Sequence, residues 1–418
     1  MNVLGIIAEY NPFHSGHAYQ IETLKRQTGA DYVIIAMSGN FVQRGAPALT
    51  DKYTRAKMAL LGGADLILEL PVLYASASAE YFAKGGVALL QHTGVVTHLG
   101  FGAENDNLSL LQKICDVLLQ NPPMLQALLK QELKQGLSFP AARAKALEDF
   151  FKTSAGILPA QLTKTLASPN NILGIEYLKA LSSLNCDILP CPLLRKGQGY
   201  HNTTISEDFC SASAIRKHLH NNKYILSDTN FKTSAMPDTT FEILSSYPHS
   251  FLFEDDFSQL VHYKLLTETP TSLAEYADSS TELANRMYHT RHSFTSWSDF
   301  CELLKAKNTT YTRISRLLLH LILNIKTKDY AVPASPNPIS YLRVLGFRKE
   351  ASPLLSRIKQ SSDAVLFTSI ADAQNQLSEN SFSQLQLDIT ASDIYNLILT
   401  SKGSQNLLND YRHPIVIV

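Results

Sequence analysis

The segment Glu9-Tyr10-Asn11-Pro12-Phe13-His14-Ser15-Gly16-His17 decides how this chain is interpreted, because it joins a strand-like run to a helix-like one. Residues 3–8 form a short apolar run that predicts a strand, and residues 16–27 predict a helix. In open α/β sheets, ligands bind where parallel strands end and the following helices expose free N–H groups. The sequence therefore predicts a ligand site at this turn.

The two histidines of this segment are the strongest chemical signal in the chain. His14 and His17 are three positions apart at a helix start, so their rings face the same way. Both can donate hydrogen bonds to phosphate oxygens and stabilise charge on a transferring phosphorus and a departing pyrophosphate. Gly16 has no side chain, so a nucleotide can lie against the backbone there. Capping or surface histidines and a metal pair are the alternatives, and no third metal ligand is evident nearby.

Strand-like and helix-like runs alternate through the first half of the chain. Strands are predicted at residues 3–8, 32–36, 66–70, 97–101 and 186–189, and the helices between them include residues 52–61, 77–92 and 171–184. Strands that are apolar throughout and alternate with helices predict a parallel sheet covered on both faces. We therefore expect a Rossmann-like α/β catalytic domain over residues 1–221. A mainly helical domain is expected over residues 222–418, with helices that include residues 272–288 and 311–325.

Composition and charge exclude several classes of protein. The 418 residues have a formal net charge of zero and are 45% hydrophobic, so we expect a globular chain that does not attract nucleic acid by overall charge. The five cysteines lack metal-ligand spacing. The apolar runs are shorter than the roughly 18 to 20 residues that span a bilayer, and the N-terminus lacks a signal-peptide pattern. We expect a soluble, cytoplasmic protein, with no membrane association and no protein partner implied.

One stretch of the second half is strongly basic. Residues 305–359 contain 11 Lys or Arg against 2 Asp or Glu, whereas residues 221–304 contain 5 against 12. A local positive surplus of this kind predicts a surface that binds a polyanion. A solvated basic face that is balanced by acidic neighbours in space is the alternative.

Several other segments could complete a nucleotide pocket. Gly102 follows a predicted strand and would let adenine approach closely, whereas Asn170 opens a helix and could bond ribose or phosphate. Arg195 follows the fifth predicted strand and could hold phosphates. Residues 211–216 offer hydroxyls and a guanidinium at a helix start, and residues 38–45 form a polar turn that could bind substrate. Each segment also has a purely structural interpretation as a turn, a helix cap or a surface arginine.

Five motifs give the chain a family resemblance. They are the segment 9–17, Met37-Ser-Gly-Asn-Phe-Val-Gln-Arg-Gly45, Gly100-Phe-Gly-Ala-Glu104, Ser168-Pro-Asn-Asn171 and Tyr311-Thr-Arg-Ile-Ser-Arg316. The His-x-Gly-His turn, with residues 211–216, resembles the two signature motifs of nucleotidyltransferases with a Rossmann-like fold. The full set spans nearly the whole chain and resembles the bacterial tRNA(Met) cytidine acetate ligases. One departure is Thr309-Thr310, where this family is expected to carry a Lys-Arg pair.

The resemblance implies an enzyme that uses ATP to activate acetate. Acetate would attack the α-phosphorus of ATP to give acetyl-adenylate and pyrophosphate. N4 of the wobble cytidine, C34, of elongator tRNA(Met) would then take the acetyl group and release AMP. His14 and His17 would handle the phosphates, the basic segment would hold the tRNA backbone, and Mg²⁺ is expected because it accompanies ATP. The ATP site implied by the resemblance comprises Ile7, Ala8, Glu9, Tyr10, Asn11, Pro12, Phe13, His14, Ser15, Gly16, His17, Ala18, Tyr19, Gln20, Gly102, Asn170 and Arg195.

Two other functions fit part of the pattern. A small-molecule adenylyltransferase would join AMP to a phosphorylated metabolite, although such enzymes rarely need a second, helical half of this size. A non-catalytic nucleotide sensor or RNA-binding adaptor would bind ATP without turnover. Pyrophosphate release that depends on acetate distinguishes the ligase from both alternatives.

Overall fold

The fold is centred on one mixed β-sheet. The structure is a computed structural model that describes residues 1–153, 159–195, 210–221, 235–330 and 338–418. Its strands are β1 (Val3–Ala8), β2 (Tyr32–Ser38), β3 (Phe41–Val42), β4 (Ala46–Pro47), β5 (Leu66–Leu70), β6 (His98–Ala103), β7 (Leu189–Leu194), β8 (Tyr341–Phe347), β9 (Val365–Phe367) and β10 (Val416–Ile417). Within these described ranges, the main sheet has the order β10-β8-β5-β2-β1-β6-β7, with β9 beside β8, and β3 pairs with β4 in a separate hairpin.

The strand order places a ligand-binding crevice next to β1. β5, β2, β1, β6 and β7 run parallel to one another. The chain moves outward from β1 to β2 and β5 on one side, and then returns to place β6 and β7 on the other. Such a reversal leaves a crevice at the carboxyl ends of the strands that flank it. The predicted Rossmann-like parallel sheet is therefore confirmed, and the His-x-Gly-His turn follows the strand at its centre.

Helices cover both faces of this sheet. The first half contains α1 (Ser15–Thr28), α2 (Lys52–Leu61), α3 (Val72–Ala75), α4 (Ala79–His92), α5 (Leu108–Gln120), α6 (Pro123–Lys134), α7 (Phe139–Thr153), α8 (Pro159–Leu166), α9 (Pro169–Ser183) and α10 (Ala212–Asn221). The second half contains α11 (Asp238–Ser245), α12 (Ser258–Thr267), α13 (Pro270–Glu275), α14 (Thr281–Thr290), α15 (Trp297–Leu304), α16 (Tyr311–Leu323), α17 (Ser352–Ser361), α18 (Ile370–Gln376) and α19 (Glu379–Ser401). None of the described helices combines the length and the apolar character needed to cross a membrane.

The strands are apolar throughout because both of their faces are buried. Along β1, Val3 and Ile7 belong to the core cluster on one face, whereas Leu4 and Ile6 belong to the cluster on the other. Residues of α4 and α9 contribute to the first cluster, and residues of α1, α2 and α10 contribute to the second. A strand with one solvated face would instead alternate apolar and polar residues.

The structure differs from the sequence-based expectation in several features, of which three affect the arrangement of the sheet and helices. β7 begins at Leu189 rather than at residue 186. The helix predicted over residues 272–288 is divided into α13 and α14, because Asp278 has a positive φ of 65° and Ser280 caps α14. β8, β9 and β10 were not predicted, and they place part of residues 222–418 in the main sheet. The expected boundary at residue 221 therefore does not follow an edge of the sheet, and the division into two functional domains stays a prediction.

A buried ionic network attaches β8 to the rest of the sheet. Arg343 of β8 lies 2.9 Å from Glu69 of β5 and 2.9 Å from Asp410. Lys52 of α2 lies 2.8 Å from each of the same two carboxylates. The four side chains are at most 4% exposed. Their charges compensate one another, so removing one partner would leave an unbalanced charge in the core.

Candidate active site

A cavity of about 210 Å³ lies at the carboxyl end of the sheet, where the strand order reverses. Ile7 of β1, Gly102 of β6 and Arg195 after β7 line it, so it extends over three neighbouring parallel strands. A smaller cavity of about 60 Å³ shares His14, His17 and Arg195 with it. The predicted turn therefore lies between two adjoining spaces.

His14 and His17 form a stacked pair that the backbone holds in place. The Nδ1 of His14, the N-cap of α1, accepts a hydrogen bond from the Gly16 N–H at 3.1 Å. The Nδ1 of His17 accepts one from the His14 N–H at 3.2 Å, and the ring centroids are 3.6 Å apart. Because both Nδ1 atoms accept, each neutral ring carries its proton on Nε2. Each ring can therefore donate one hydrogen bond to a bound anion.

The surroundings keep this histidine pair neutral at physiological pH. Burial, followed by the charges of Arg195 and Arg216, lowers the pKa of His14 from its ordinary value of 6.5 to about 3. Burial, followed by His14 and Arg195, holds the pKa of His17 well below 6.5. The positive charge of the site therefore comes from arginines. An anion that enters the cavity should raise the pKa of both rings, because a nearby opposite charge favours the protonated form.

The loop between β1 and α1 is fixed by distant parts of the chain. Tyr10 has a positive φ of 48°, an uncommon conformation for a non-glycine residue that needs support from its surroundings. The Asn11 Oδ1 accepts a hydrogen bond from the Leu49 N–H at 2.7 Å. The Asn11 carbonyl accepts one from the Arg216 guanidinium of α10 at 2.6 Å. The orientation of the histidine pair thus depends on α10 and on the segment before α2.

Arg55 of α2 joins this loop to the end of β2. It is fully buried, and its guanidinium donates to the carbonyls of Glu9 at 2.7 Å and Ser38 at 3.0 Å. It also donates to the carbonyls of Thr50 and Gly39. Four main-chain acceptors therefore satisfy a buried cation and hold the ends of β1 and β2 together. Sequence reasoning missed Arg55, because an arginine within an amphipathic helix is normally interpreted as exposed.

Cations dominate the wall of the large cavity. Arg44 reaches it from the β3–β4 connection, Arg216 from α10 and Arg195 from the end of β7. Glu9 is the only acidic residue among the described residues that line it. Three guanidiniums and two N–H donors against one carboxylate favour a polyanionic ligand. In the part of the chain that the structure describes, no three metal-ligating side chains come together.

A polar contact next to the large cavity joins the segment that follows β6 to the start of α9. The Asn170 amide donates to the Glu104 Oε1 at 2.6 Å, and the Glu104 Oε2 accepts from the Asn171 N–H at 3.2 Å. Asn170 is not the N-cap of α9, because Ser168 occupies that position. These bonds fix the first turn of α9 against the residues that follow β6.

Most of the site residues predicted from sequence line the two cavities. The large cavity is lined by Ile7, Ala8, Glu9, Tyr10, Asn11, His14, His17, Gln20, Gly102, Asn170 and Arg195, and the small one adds Gly16 and Tyr19. The other four, Pro12, Phe13, Ser15 and Ala18, lie in the described range 1–153 but line neither cavity. Phe13, for example, is fully buried in the core. The contacts of all seventeen residues with a nucleotide stay predictions.

Three residues of the large cavity were not predicted as site residues. Phe82 of α4 and Leu173 and Tyr177 of α9 form an apolar and aromatic part of the large cavity. Apolar residues at helical spacing are normally interpreted as core, so the sequence contains no signal that separates these three from their neighbours.

The basic segment 305–359 is partly neutralised in the folded chain. Five of its cations lie within 3.8 Å of a carboxylate: Lys305, Arg316, Lys326, Arg343 and Arg348. Arg316 makes two bonds of 2.8 Å to Asp278, and Arg313 donates to the Asp278 carbonyl at 2.9 Å. The exposed cations are Lys305, Lys307, Lys328, Lys349, Arg357 and Lys359. The balanced-face alternative therefore holds for part of this segment.

Comparisons with known proteins give a consistent result. A sequence model of the HIGH nucleotidyl transferase family matches residues 1–410. The tRNA(Met) cytidine acetate ligase of Halothermothrix orenii is 38% identical over 430 residues, which cover 100% of this chain and 99% of that protein. The apo crystal structure of Thermotoga maritima TmcAL superposes with a TM-score of 0.92 at 30% identity, and its complex with alpha-thio ATP with a TM-score of 0.90 at 31% identity. Both superpositions cover 100% of both chains.

Proposed function

We propose that the protein is a tRNA(Met) cytidine acetate ligase. The chain belongs to the HIGH nucleotidyl transferase family. The observation that carries the proposal is the stacked, neutral histidine pair in an arginine-lined cavity, whose two Nε2–H groups suit a triphosphate. The Halothermothrix orenii relative carries this activity in its name, and the Thermotoga maritima neighbour binds an ATP analogue. The name of this relative favours the ligase over a small-molecule adenylyltransferase.

The proposed reaction has two steps. An acetate oxygen attacks the α-phosphorus of ATP, and pyrophosphate leaves with the bonding electron pair. The exocyclic N4 of the wobble cytidine of elongator tRNA(Met) then attacks the carbonyl carbon of acetyl-adenylate, and AMP leaves. A carboxylate reacts with an amine only after it has gained a good leaving group, which AMP supplies. The protein therefore needs in-line geometry and charge stabilisation, and no covalent nucleophile.

The cavity residues can be given roles in the first step. The Nε2–H groups of His14 and His17 would donate to the phosphates, and Arg195 and Arg216 would supply the positive charge. Gly16 would allow the nucleoside to lie against the backbone in the smaller cavity. Glu9 is the only described carboxylate in the large cavity, so a Mg²⁺ that enters with ATP would be held chiefly by phosphate oxygens and water. Such an ion would neutralise part of the phosphate charge.

The tRNA would place its anticodon loop at the cavity. Specific RNA recognition generally targets single-stranded loops whose bases can be turned outward, and a wobble base meets this condition. Exposed cations of the segment 305–359, such as Lys307 and Lys328, would hold the tRNA backbone. A tRNA substrate places the proposed reaction in the cytoplasm.

One incubation tests the proposed function. The protein is mixed with ATP, isotopically labelled acetate and bulk bacterial tRNA, and the tRNA nucleosides are then analysed by mass spectrometry. We expect labelled N4-acetylcytidine together with acetate-dependent release of pyrophosphate. A stable AMP–metabolite conjugate without acetylated tRNA would support the adenylyltransferase instead, and ATP binding without turnover would support a sensor.

A further inference from the structure

Glu9 is placed at the end of β1, where its carboxylate enters the lining of the large cavity. It is the first residue after β1, and it is the only carboxylate among the described residues that line this space. One carboxylate oxygen accepts a hydrogen bond from the Gln43 N–H at 3.0 Å, and the Glu9 carbonyl accepts one from Arg55 at 2.7 Å. Within the described ranges, the second carboxylate oxygen has no hydrogen-bond partner. The carboxylate is thus anchored at one oxygen and available at the other.

Tyr177 of α9 lines the same cavity as Glu9 and lies within range of its charge. Tyr177 is 3% exposed and lines the cavity. Burial, followed by the negative charge of Glu9, raises the pKa of Tyr177. The phenol therefore remains a hydrogen-bond donor at neutral pH. The Tyr177 hydroxyl and the anchored Glu9 carboxylate, which belong to the lining of one cavity, together suit a small polar group that both donates and accepts.

The second step of the proposed reaction needs a proton acceptor that the rest of the cavity does not supply. The cytidine N4 carries two hydrogens, and one must leave when the amide forms. Neither motif histidine can accept it, because in both rings Nδ1 is occupied by a backbone N–H and Nε2 carries the proton. Arginine side chains are always protonated. Burial raises the pKa of the Tyr10 and Tyr177 phenols, so both stay protonated. Glu9 is then the remaining ionisable acceptor among the described lining residues.

We propose that Glu9 is the general base of acetyl transfer, an inference that rests on the proposed function. N4 attacks the carbonyl carbon of acetyl-adenylate, and a C–N bond forms as the bond from this carbon to the phosphate oxygen breaks. AMP leaves with that electron pair, and the free oxygen of Glu9 takes the N4 proton and passes it to water. The Tyr177 hydroxyl donates a hydrogen bond to the incoming base and so orients it.

The position of Glu9 is compatible with the first step. Its carboxylate would repel an acetate ion, but the guanidiniums of Arg44 and Arg216 lie within range of its charge. These two cations offset the repulsion and leave the cavity positive overall.

The test separates the two steps in the isosteric variant Glu9→Gln, whose amide oxygen can still accept from Gln43. Acetate-dependent ATP–pyrophosphate exchange reports the first step, and single-turnover transfer from preformed acetyl-adenylate to tRNA reports the second. A positioned general base contributes about 10²- to 10⁴-fold, so we expect transfer to fall at least about 100-fold and exchange to fall far less. Glu22→Gln, which changes an exposed carboxylate on the outer side of α1, is the matched control for both assays.

Two further measurements separate proton transfer from a structural role. In the wild type, acetyl transfer should depend on pH because the base must be unprotonated, and this dependence should be absent in Glu9→Gln. Glu9→Asp keeps the base with a shorter reach, so it should transfer faster than Glu9→Gln. The inference would be overturned by any of three results: Glu9→Asp and Glu9→Gln lose transfer activity equally, Glu9→Gln loses exchange and transfer equally, or Glu9→Gln transfers at the wild-type rate. A wild type that neither exchanges nor transfers would instead refute the proposed function.

Discussion

The His14→Asn substitution separates the two roles that the structure gives to this residue. His14 caps α1 through its Nδ1 and presents an Nε2–H to the cavity. Asparagine is among the best N-cap residues, so the helix keeps its cap, but the shorter side chain does not reach the position of Nε2. The variant should therefore fold normally and bind the phosphates of ATP less well in the transition state.

The expected magnitude follows from one lost hydrogen bond to a charged group. Such bonds contribute about 1.5 to 3 kcal/mol, which corresponds to a decrease of about 10- to 150-fold in kcat/KM for ATP. His14→Ala loses the cap as well, and should lower the free energy of unfolding by about 1 kcal/mol relative to His14→Asn. The difference between the two variants in stability isolates the capping role.

Acetate-dependent ATP–pyrophosphate exchange provides the kinetic measurement, and urea titration of the same samples provides stability. Glu22→Gln, on the exposed side of α1, should match the wild type in both. If His14→Asn retained wild-type kcat/KM while folding normally, the Nε2–H of His14 would have no part in catalysis. If it lost activity only in proportion to its unfolded fraction, His14 would be a helix cap alone.

Three further outcomes are expected. His14 should make the protein less stable as the pH falls from 6.5 towards 3, because the unfolded ring takes up a proton that the folded ring does not. In urea titrations at several pH values, His14→Asn should lack this contribution of about 1.4 kcal/mol per pH unit. Lys52→Met should lower the free energy of unfolding in urea titrations by about 3 to 5 kcal/mol, because it removes one partner of the buried ionic network. Lys57→Met, on the exposed side of α2, is the control and should change it by less than about 0.5 kcal/mol. Charge reversal at Lys307 and Lys328 should weaken tRNA binding and leave ATP affinity unchanged. The slope of log binding constant against log salt concentration should become shallower by roughly 0.7 to 0.9 per lost phosphate contact. An equal loss of both affinities would count against a separate RNA surface.

The parts of the fold that local sequence determines could be predicted. β1 is an apolar run followed by a turn and a helix start, and its bounds, residues 3–8, agree with the structure. The histidine pair could be placed at a strand end for the same reason. Its stacked geometry and its Nε2 protonation could not, because they depend on hydrogen bonds to the Gly16 and His14 N–H groups that only the folded turn creates.

Features that depend on distant partners could not be predicted. Arg343 interrupts the apolar pattern of β8, and its burial is possible only because Glu69 and Asp410 meet it in space. Arg55 looks like an ordinary helix-surface cation until the carbonyls at the ends of two strands are seen to surround it. Tyr177 belongs to an apolar helix, and only its position opposite the end of β1 distinguishes it from core residues. In each case the partner lies far away in sequence, so no local pattern reveals the role.

The most direct test of the account is a crystal structure of the protein with bound ATP. We predict that the Nε2 atoms of His14 and His17 lie within about 3.2 Å of phosphate oxygens, with both Nδ1 atoms still bonded to the backbone. A triphosphate bound elsewhere, or rings turned so that Nδ1 faces the nucleotide, would contradict the central claim.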